Sequence, residues 1–589
     1  MAFRQTPFES AGAVDAGDDR DFAAGGGKID HEPAGGGFLH SLRANREGAR
    51  FGKRSNHGIY PTVRASAASV SARVPLYGTK KEVCVDAATA HIRLSEALEK
   101  LDDVLGPLGR TFADAGFELA LVGGSVRDAL LGRDMPDLDF TTDARPDDIV
   151  RLIRDWADTW WDIGKKFGTI GMVKKGFQIE ITTYRAEAYD SESRKPVVAF
   201  GDNLDDDLVR RDFTIGAMAV RLPGRVFVDP FGGLEDLTAG RIRTPGKAED
   251  SFSDDPLRMM RAARFTSQLD FEVADDVREA MTDMAGRMDI VSAERIKDEL
   301  VKLICGKAPW KGIDLLVVTG LADVFLPEVA RLREEKDEHG RHKDVYWHSL
   351  TVLRQAVELE ERYARKQAEA DAAAAEDDDA DEPLPADSQL RISVPDFTVR
   401  FAALMHDIGK PDTRRFEPNG AVTFYHHDVV GAKLVRRRMR ALAFDNATTK
   451  RVARLVELHL RFYGYGDAGW TDSAVRRYVT DAGDQLTRLH ILTRSDVTTR
   501  NKRKADRLAR AYDDLERRIE NLQKQEKLEA IRPDLDGQQI MEILGITPGP
   551  VVGRAYKHML ELRMENGPTD FETAKAALLT WWAEQPEAG

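Results

Sequence analysis

Apolar positions change their period along the chain, and the change divides it. Over residues 1–85 Gly, Ala, Ser and Arg dominate with no sustained apolar period, which predicts a disordered N-terminal extension. From Ala87 onward Leu94, Leu98, Leu101 and Leu105 recur at helical spacing. Short apolar runs then predict strands at Glu118–Val122, Leu138–Thr141, Ile170–Val173, Gln178–Thr183, Ala217–Arg221 and Val226–Asp229, with a helix carrying Val126, Leu130 and Leu131 after the first. Strands mixed with helices predict an α/β head over 86–245. From Asp254 the pattern is almost wholly helical, opening with the amphipathic, basic stretch Leu257–Phe265. The Ala/Asp/Glu-rich segment Gln367–Asp387, ending in Pro383 and Pro385, predicts a disordered insertion near 367–390. Helices resume at Val399, and no internal repeat is evident. The expected order is a head, a helical neck over 246–335, a helical domain over 336–512 that carries the insertion, and a helical tail over 513–589.

Composition narrows the class. A chain of 589 residues has room for several domains, and a hydrophobic fraction of 42% supplies real cores. The two cysteines, Cys84 and Cys305, stand far apart, which argues against a disulfide scaffold or a Cys-based zinc site and fits a reducing cytoplasm. No apolar run is long enough to predict a membrane span, and the N-terminus lacks a signal-peptide pattern. The formal charge of −14, taken as a sum, argues against a nucleic-acid partner. Its distribution weakens the objection: nine acidic residues and no Lys or Arg lie in the segment from Glu369 to Asp387. Basic residues cluster at Arg436–Arg438 with Arg440 and along Arg500–Arg510. Local patches govern contact with phosphates.

The segment Leu121-Val-Gly-Gly-Ser-Val-Arg-Asp128, followed by Asp137-Leu-Asp139, carries the most chemistry. Gly123 and Gly124 between a strand and a helix let backbone N–H groups approach phosphate oxygens, and the Ser125 hydroxyl can add a donor. Asp137 and Asp139 on a strand point to one face, because side chains alternate. Carboxylates so placed can share Mg²⁺ with substrate phosphates, and Glu180 on a later strand can complete the set. Two such ions would flank an in-line displacement.

These residues resemble the nucleotidyltransferase superfamily of polymerase β-like folds, and within it the class II CCA-adding enzymes and bacterial poly(A) polymerases. The resemblance continues through Arg185, Tyr189, Arg194 and Pro196, through Asp207-Leu-Val-Arg-Arg-Asp-Phe-Thr-Ile215, and through Asp254-Asp-Pro-Leu-Arg258 with Arg261, Arg264 and Phe265. It implies a multidomain α+β protein: a polymerase β-like mixed α/β head, an all-helical neck and body, and a helical HD domain. It also implies Asp137, Asp139 and Glu180 as catalytic, with Mg²⁺ held by Asp137 and Asp139. Nucleotide contacts would come from Gly123, Gly124, Ser125, Arg127, Arg210, Arg211, Asp212, Asp255, Arg258, Arg261 and Arg264. Arginine forks suit phosphate oxygens. Asp255 and Arg258, at i and i+3 and so expected on one helix face, offer an acceptor and donors for the edges of cytosine and adenine. Where the family pattern continues Ile-Asn-Ala, this chain has Ile215-Gly216-Ala217, so a ribose contact is in doubt. The Phe167-Gly-Thr169 form is similar to the CCA-adding branch, whereas the poly(A) branch carries a more basic version.

The helical part holds a second set: His348, His406-Asp407, His427, His459 and Asp496. Imidazole and carboxylate are ligands for divalent metals. The set resembles the HD phosphohydrolases, which implies a second divalent metal, of unspecified identity, and a family activity on cyclic or 2′-phosphates of RNA ends. Lys410, His426 and Asp428 are candidate neighbours of that site. Arg500, Lys502, Arg503 and Lys504 are candidate RNA contacts, and Pro548–Gly553 resembles the C-terminal segment of HD-bearing family members. The expected activity is addition of C, C and A to the tRNA acceptor end from CTP and ATP, without template or membrane. Two alternatives stand beside it: a poly(A) polymerase, and a metal-dependent phosphohydrolase or RNA-binding factor with an inactive head. Whether all three nucleotides are added, and the oligomeric state, stay open.

Overall fold

The computed structural model describes residues 86–186, 199–334, 345–375, 392–526 and 532–588, less 202, 419–420, 463–464, 466–469 and 500. The expected extension over 1–85 lies outside them, as do Tyr189, Arg194, Pro196 and Arg500.

Seven strands build the head: β1 (Leu119–Val122), β2 (Asp137–Thr142), β3 (Thr159–Trp161), β4 (Thr169–Lys174), β5 (Phe177–Thr183), β6 (Ala219–Leu222) and β7 (Val226–Val228), in the order β3-β4-β5-β2-β1-β6-β7. The central pair β2 and β5 runs parallel, and every other pair is antiparallel. Alternation explains what each face does. Leu138 and Phe140 of β2 and Ile179 and Ile181 of β5 are fully buried in one core with Leu94, Leu105, Val126 and Ile149 from the covering helices. Asp137, Asp139 and Glu180 stand on the opposite face. The six predicted strands are present, shifted by a residue or two. The sequence reading lacked β3, an edge strand with Trp160 exposed, and the helix Pro146–Ile153.

Beyond the head, the helices Leu257–Leu269, Ala293–Ile304 and Pro309–Val318 form the neck and share a continuous core with the domain that follows. Two expectations need correction. Residues 367–375, assigned to a disordered insertion, continue the helix Val345–Ala375, whose Ala- and Glu-rich sequence favours it. The boundary at 512/513 falls inside the helix Lys502–Glu526, whose Tyr512, Leu515, Ile519 and Leu522 pack into the main core. A separate small core, with Leu535, Ile540, Ala555, Met559, Ala574 and Leu578, defines the C-terminal module.

One buried cation ties the neck to the following domain. Arg400, on the helix Phe397–Met405, donates to Ile304 O (3.0 Å) and Gly306 O (2.6 Å) at the end of the helix Ala293–Ile304. A positive group there satisfies orphan carbonyls and the helix dipole. Its Nε donates to Glu360 Oε1 at 2.8 Å, and Glu360 is fully buried. Arg400→Met should lower stability by about 3–5 kcal/mol, because it strands a buried carboxylate. Chemical denaturation checks this, and an unchanged midpoint would refute the role given to the pair.

Candidate active site and metal centre

β1 runs into Gly123, whose φ of 70° suits glycine. A Cβ there would stand 2.8 Å from Arg211 Nη1, so glycine also admits that guanidinium to the turn. The helix Gly124–Leu131 follows. Its Ser125 is buried and fully engaged: Oγ donates to Asp137 O and accepts from Asp139 N, both at 3.1 Å. This corrects the expected phosphate contact, since Ser125 instead fastens the helix to the acidic strand.

Parallel pairing sets Asp139 beside Glu180 and Asp137 beside Gln178. Three carboxylates thus share one face, and no described residue donates a hydrogen bond to the Asp137 or Asp139 side chain. Burial pushes the Asp139 carboxyl above the usual range, with Asp137 adding to the rise and Arg211 and Arg127 opposing it. Burial also raises Glu180, and Asp139 and Asp137 add to it. The three do not close into a preformed cage: the groups of three ligand atoms lying within 4.8 Å of one another both fall in the helical region, among the described residues. Acceptors without donors, on an open face, fit a cation that also takes ligands from substrate phosphates.

Arginines border this face. Arg211 pairs with Asp207 at 3.2 Å and Arg261 with Asp212 at 2.6 Å, while the buried Nε groups of both make no hydrogen bond among the described residues. Arg127 pairs with Asp128 at 2.7 Å and lies 5.3 Å over the Phe265 ring. Arg264 pairs with Glu299 at 3.1 Å. Arg258 donates to Ser251 Oγ (2.8 Å) and to Arg210 O (2.6 Å). Asp255 is not on the helix with Arg258, as the i,i+3 spacing predicted. It is extended, ahead of Pro256 and a helix that begins at Leu257. Its carboxylate accepts from Leu257 N (3.1 Å) and pairs with Arg295 at 2.7 Å. Gly216 ends a short 3-10 turn, where a Cβ would stand 3.4 Å from Asp212 Oδ1. The same turn is held by Thr214 Oγ1 donating to the buried Asp236 at 2.7 Å. Arg295, Glu299 and Asp236 escaped the sequence reading, because each partner is remote in sequence or lies outside any recognisable motif.

In the helical domain all six expected ligands converge. His348 comes from the helix Val345–Ala375, His427 opens the helix His427–Ala441, and His406, His459 and Asp496 each end a helix. Gly409 makes this possible: a Cβ there would meet His427 O at 2.1 Å. Two triads result, His348–His406–Asp496 and Asp407–His427–His459, the second wholly buried. His348 Nε2 lies 2.9 Å from Asp496 Oδ1. His406 Nε2 lies 3.2 Å from Asp407 Oδ2, and His427 Nε2 lies 3.3 Å from Asp407 Oδ1. Burial opposes charging of His406, but Asp407 and Asp496 outweigh it and raise its pKa to about 10. Burial, reinforced by His406, pushes His459 down to about 4. Lys410 reaches Asp407 Oδ2 at 2.9 Å, and Thr498 Oγ1 lies 3.2 Å from His348 Nδ1. His426 is exposed beside the site. A nitrogen-rich set with two carboxylates suits a transition-metal ion.

Lys502, Arg503 and Lys504 are exposed at the start of their helix. Within the cluster Arg436–Arg438, Arg438 pairs closely with the buried Glu328 at 2.7 Å, while the more exposed Arg436 and Arg437 lie 3.4 Å from Glu457 and 3.5 Å from Glu328.

Comparisons with known proteins follow the same division. Residues 119–243 match the poly A polymerase head domain, 270–332 a probable RNA- and SrmB-binding site of polymerase A, and 345–501 the HD domain. A CCA-adding enzyme of Levilactobacillus brevis is 41% identical over 227 residues, 38% of this chain and 56% of that protein. The chain thus spans little more than half the length of such relatives. An A-adding tRNA nucleotidyltransferase of Deinococcus radiodurans is 32% identical over 475 residues, 79% of this chain and 96% of that protein. In three dimensions, the Bacillus stearothermophilus CCA-adding enzyme in complex with CTP aligns with a TM-score of 0.56 at 23% identity, covering 82% of this chain and 97% of that one, which shows a shared fold. No described helix is long and apolar enough to cross a membrane.

The raised Asp139 pKa has a consequence for stability. Its charged form is disfavoured by folding, so the carboxyl weakens the fold as pH rises through its folded pKa. Without Mg²⁺, Asp139→Asn should therefore raise the melting temperature at pH 7, by an amount that shrinks as pH falls and the native carboxyl protonates. A lower melting temperature at pH 7 would contradict the uncompensated charge.

Proposed function

Because the chain belongs to the tRNA nucleotidyltransferase and poly(A) polymerase family, we propose that it adds C, C and A to the 3′ end of tRNA from CTP and ATP, releasing pyrophosphate. The observation that carries this reading is the placement of Asp137, Asp139 and Glu180 on one face, bordered by Arg211 and Arg127 across the Gly123 turn. Asp137 and Asp139, with Glu180 beside them, hold Mg²⁺. Bound there, it supplies charge neutralisation for in-line displacement at the α-phosphate.

The chain's own groups position the reactants. The backbone N–H at Gly124, where the helix starts, and the guanidinium groups of Arg210, Arg211, Arg127, Arg261 and Arg264 receive the nucleotide phosphates, while Gly123 N–H donates to Met218 O and Gly123 shapes the turn. Asp212 orients Arg261. Arg258 and Asp255 read the base edge, with Asp255 exchanging its Arg295 partner for the base. Ser125 keeps the acidic strand in register with the turn. The tRNA 3′-hydroxyl attacks the α-phosphate, and positioning with electrostatic stabilisation provides the acceleration. Lys502, Arg503 and Lys504, with Arg500, meet the RNA backbone. The HD residues hold a divalent transition metal for phosphoester hydrolysis. A reducing cytoplasm suits a chain with two widely spaced cysteines.

A second reading, addition of A alone to tRNA already ending in CC, is favoured by one observation: the relative matched over 96% of its length is an A-adding enzyme. Incubating tRNA lacking CCA, and tRNA ending in CC, with CTP and ATP singly and together separates the readings. The expected product on the first substrate is C, C and A. Growth only on the CC-ended substrate establishes A addition, and a long A tract establishes a poly(A) polymerase. Asp137→Ala should cut incorporation by roughly 100-fold or more, the scale of losing one group that stabilises transition-state charge. Normal incorporation by that variant would remove the head from the reaction.

A further inference from the structure

We propose that the helical hairpin His427–Ala441 and Asn446–Leu458 carries on its exposed face a binding track for single-stranded RNA, separate from the tRNA contacts of the head and of Lys502, Arg503 and Lys504. Over residues 427–461 nine Lys and Arg stand against three Asp and Glu, in a chain whose formal charge is −14. Carboxylates from neighbouring elements do not make up the difference. Arg438 holds both oxygens of Glu328, at 2.7 and 3.1 Å, so that charge is spent. Arg437, 3.5 Å from the same carboxylate and with its side chain 69% exposed, keeps its own charge available. Glu457 is shared between Arg436 and Arg454, both at 3.4 Å, and Asp481 between Arg454 and Arg461. Lys433, Arg440 and Lys450 are exposed and make no ion pair among the described residues. Arg451 is half exposed, 3.8 Å from Asp484.

The surplus charge is ordered. Val429, Lys433, Arg437 and Arg440 recur at i, i+4, i+8 and i+11, which makes one exposed stripe along the first helix. The connection Leu442–Asp445 is short, and His427 at the start of the first helix faces His459 at the end of the second. The helices therefore run antiparallel, and Lys450 and Arg451 stand at the same end of the hairpin as Arg437 and Arg440. The helix dipole accounts for cations in a last turn, but not for Lys433 in mid-helix or for Lys450 and Arg451 in the N-terminal half of the second helix. The opposite end is aromatic. The chain enters the first helix through Tyr425, 63% exposed, and the exposed His426, held at a φ of 63°. Phe416, on the strand pair just before them, is also exposed, with Arg414 4.9 Å over its ring. Spaced cations meet phosphates, and exposed rings meet unstacked bases; the two together fit a nucleic-acid strand better than an acidic peptide. The stripe is about 20 Å long at the helical rise. Its aromatic end adjoins His427, so a strand lying along it brings one terminus to the histidine cluster.

The test uses full-length protein and a fluorescein-labelled oligouridylate of roughly 12 nucleotides, within the site size of single-strand binders. A 3′-deoxy residue closes the oligomer, so the head has no 3′-hydroxyl to extend. Lys433→Gln, Arg440→Gln and Lys450→Gln together should weaken binding about 10-fold or more at moderate salt and lower the salt slope by about 2, because each lost phosphate contact removes about 0.7. Tyr425→Ala should weaken binding about 5-fold or more while leaving the slope in place, because stacking releases no counterions. Incorporation of CTP and ATP at saturating tRNA should be unchanged in the triple variant, which also establishes that it folds. Unchanged affinity and slope in the triple variant overturn the track, and unchanged affinity in Tyr425→Ala overturns its aromatic end. Equal competition by polyglutamate of matched charge overturns the assignment to RNA. A fall in kcat for incorporation overturns the separation from the head.

Discussion

The head is organised around like charges that a parallel strand pair holds together. The register of β2 against β5 sets Asp139 beside Glu180, with Asp137 two residues away on the same face. Adjacent like charges on a sheet repel. The fold accepts this because Ser125 anchors the backbone of β2 from behind and because Arg211 and Arg127 bring opposite charge to the front. The charge balance is left incomplete, and the shortfall is what a metal ion and a triphosphate can supply. Hydrophobic alternation in the same strands, with Leu138, Phe140, Ile179 and Ile181 facing inward, commits the acids to the open side. A one-residue slip would bury them.

The neck extends this arrangement by paired arginines. Arg258 reaches back to the carbonyl of Arg210, Arg261 to Asp212, and Arg264 to Glu299, so one helix links the phosphate-facing segment to the helices behind it. Arg400 repeats the device one step further on, joining neck carbonyls to Glu360. Each guanidinium has a partner on another element, and each pair transmits position between elements. Asp255 shows the same economy: held by Arg295 and capping the helix start, it keeps its carboxylate near Arg258 without pairing with it.

The metal centre uses a different device. His406 and His459, each at a helix end, turn Nδ1 to the carbonyl three residues back, and His427, which opens a helix, does the same to Phe424 O ahead of it. Helix ends leave carbonyls unpaired, and the rings of His406 and His459 satisfy two of them while gaining a defined orientation. Gly409 lets the His406–Asp407 turn approach the His427 backbone closely enough for the two triads to share a carboxylate.

Much of this was legible in the sequence. Period-two alternation placed Asp137 and Asp139 on one face, the Gly-Gly turn located the start of the helix, and the resemblance to the HD phosphohydrolases singled out four histidines and two aspartates that do converge. These are local properties, set by backbone periodicity and side-chain chemistry over a few residues. Other features needed the chain to close on itself. Ser125 reads as a phosphate donor until β2 is seen behind it, and Asp255 reads as a helix-face residue until Pro256 is seen to delay the helix to Leu257. Arg438 reads as part of a basic patch until the buried Glu328 is seen to hold it. The division of the histidines and aspartates into two triads depends on distances between side chains up to 148 residues apart, His348 to Asp496. Sequence by itself determined which groups are present and which way each strand or helix presents them. Only the tertiary structure decided which partners they meet, because hydrogen bonds and ion pairs act over a few ångströms in space whatever the separation along the chain.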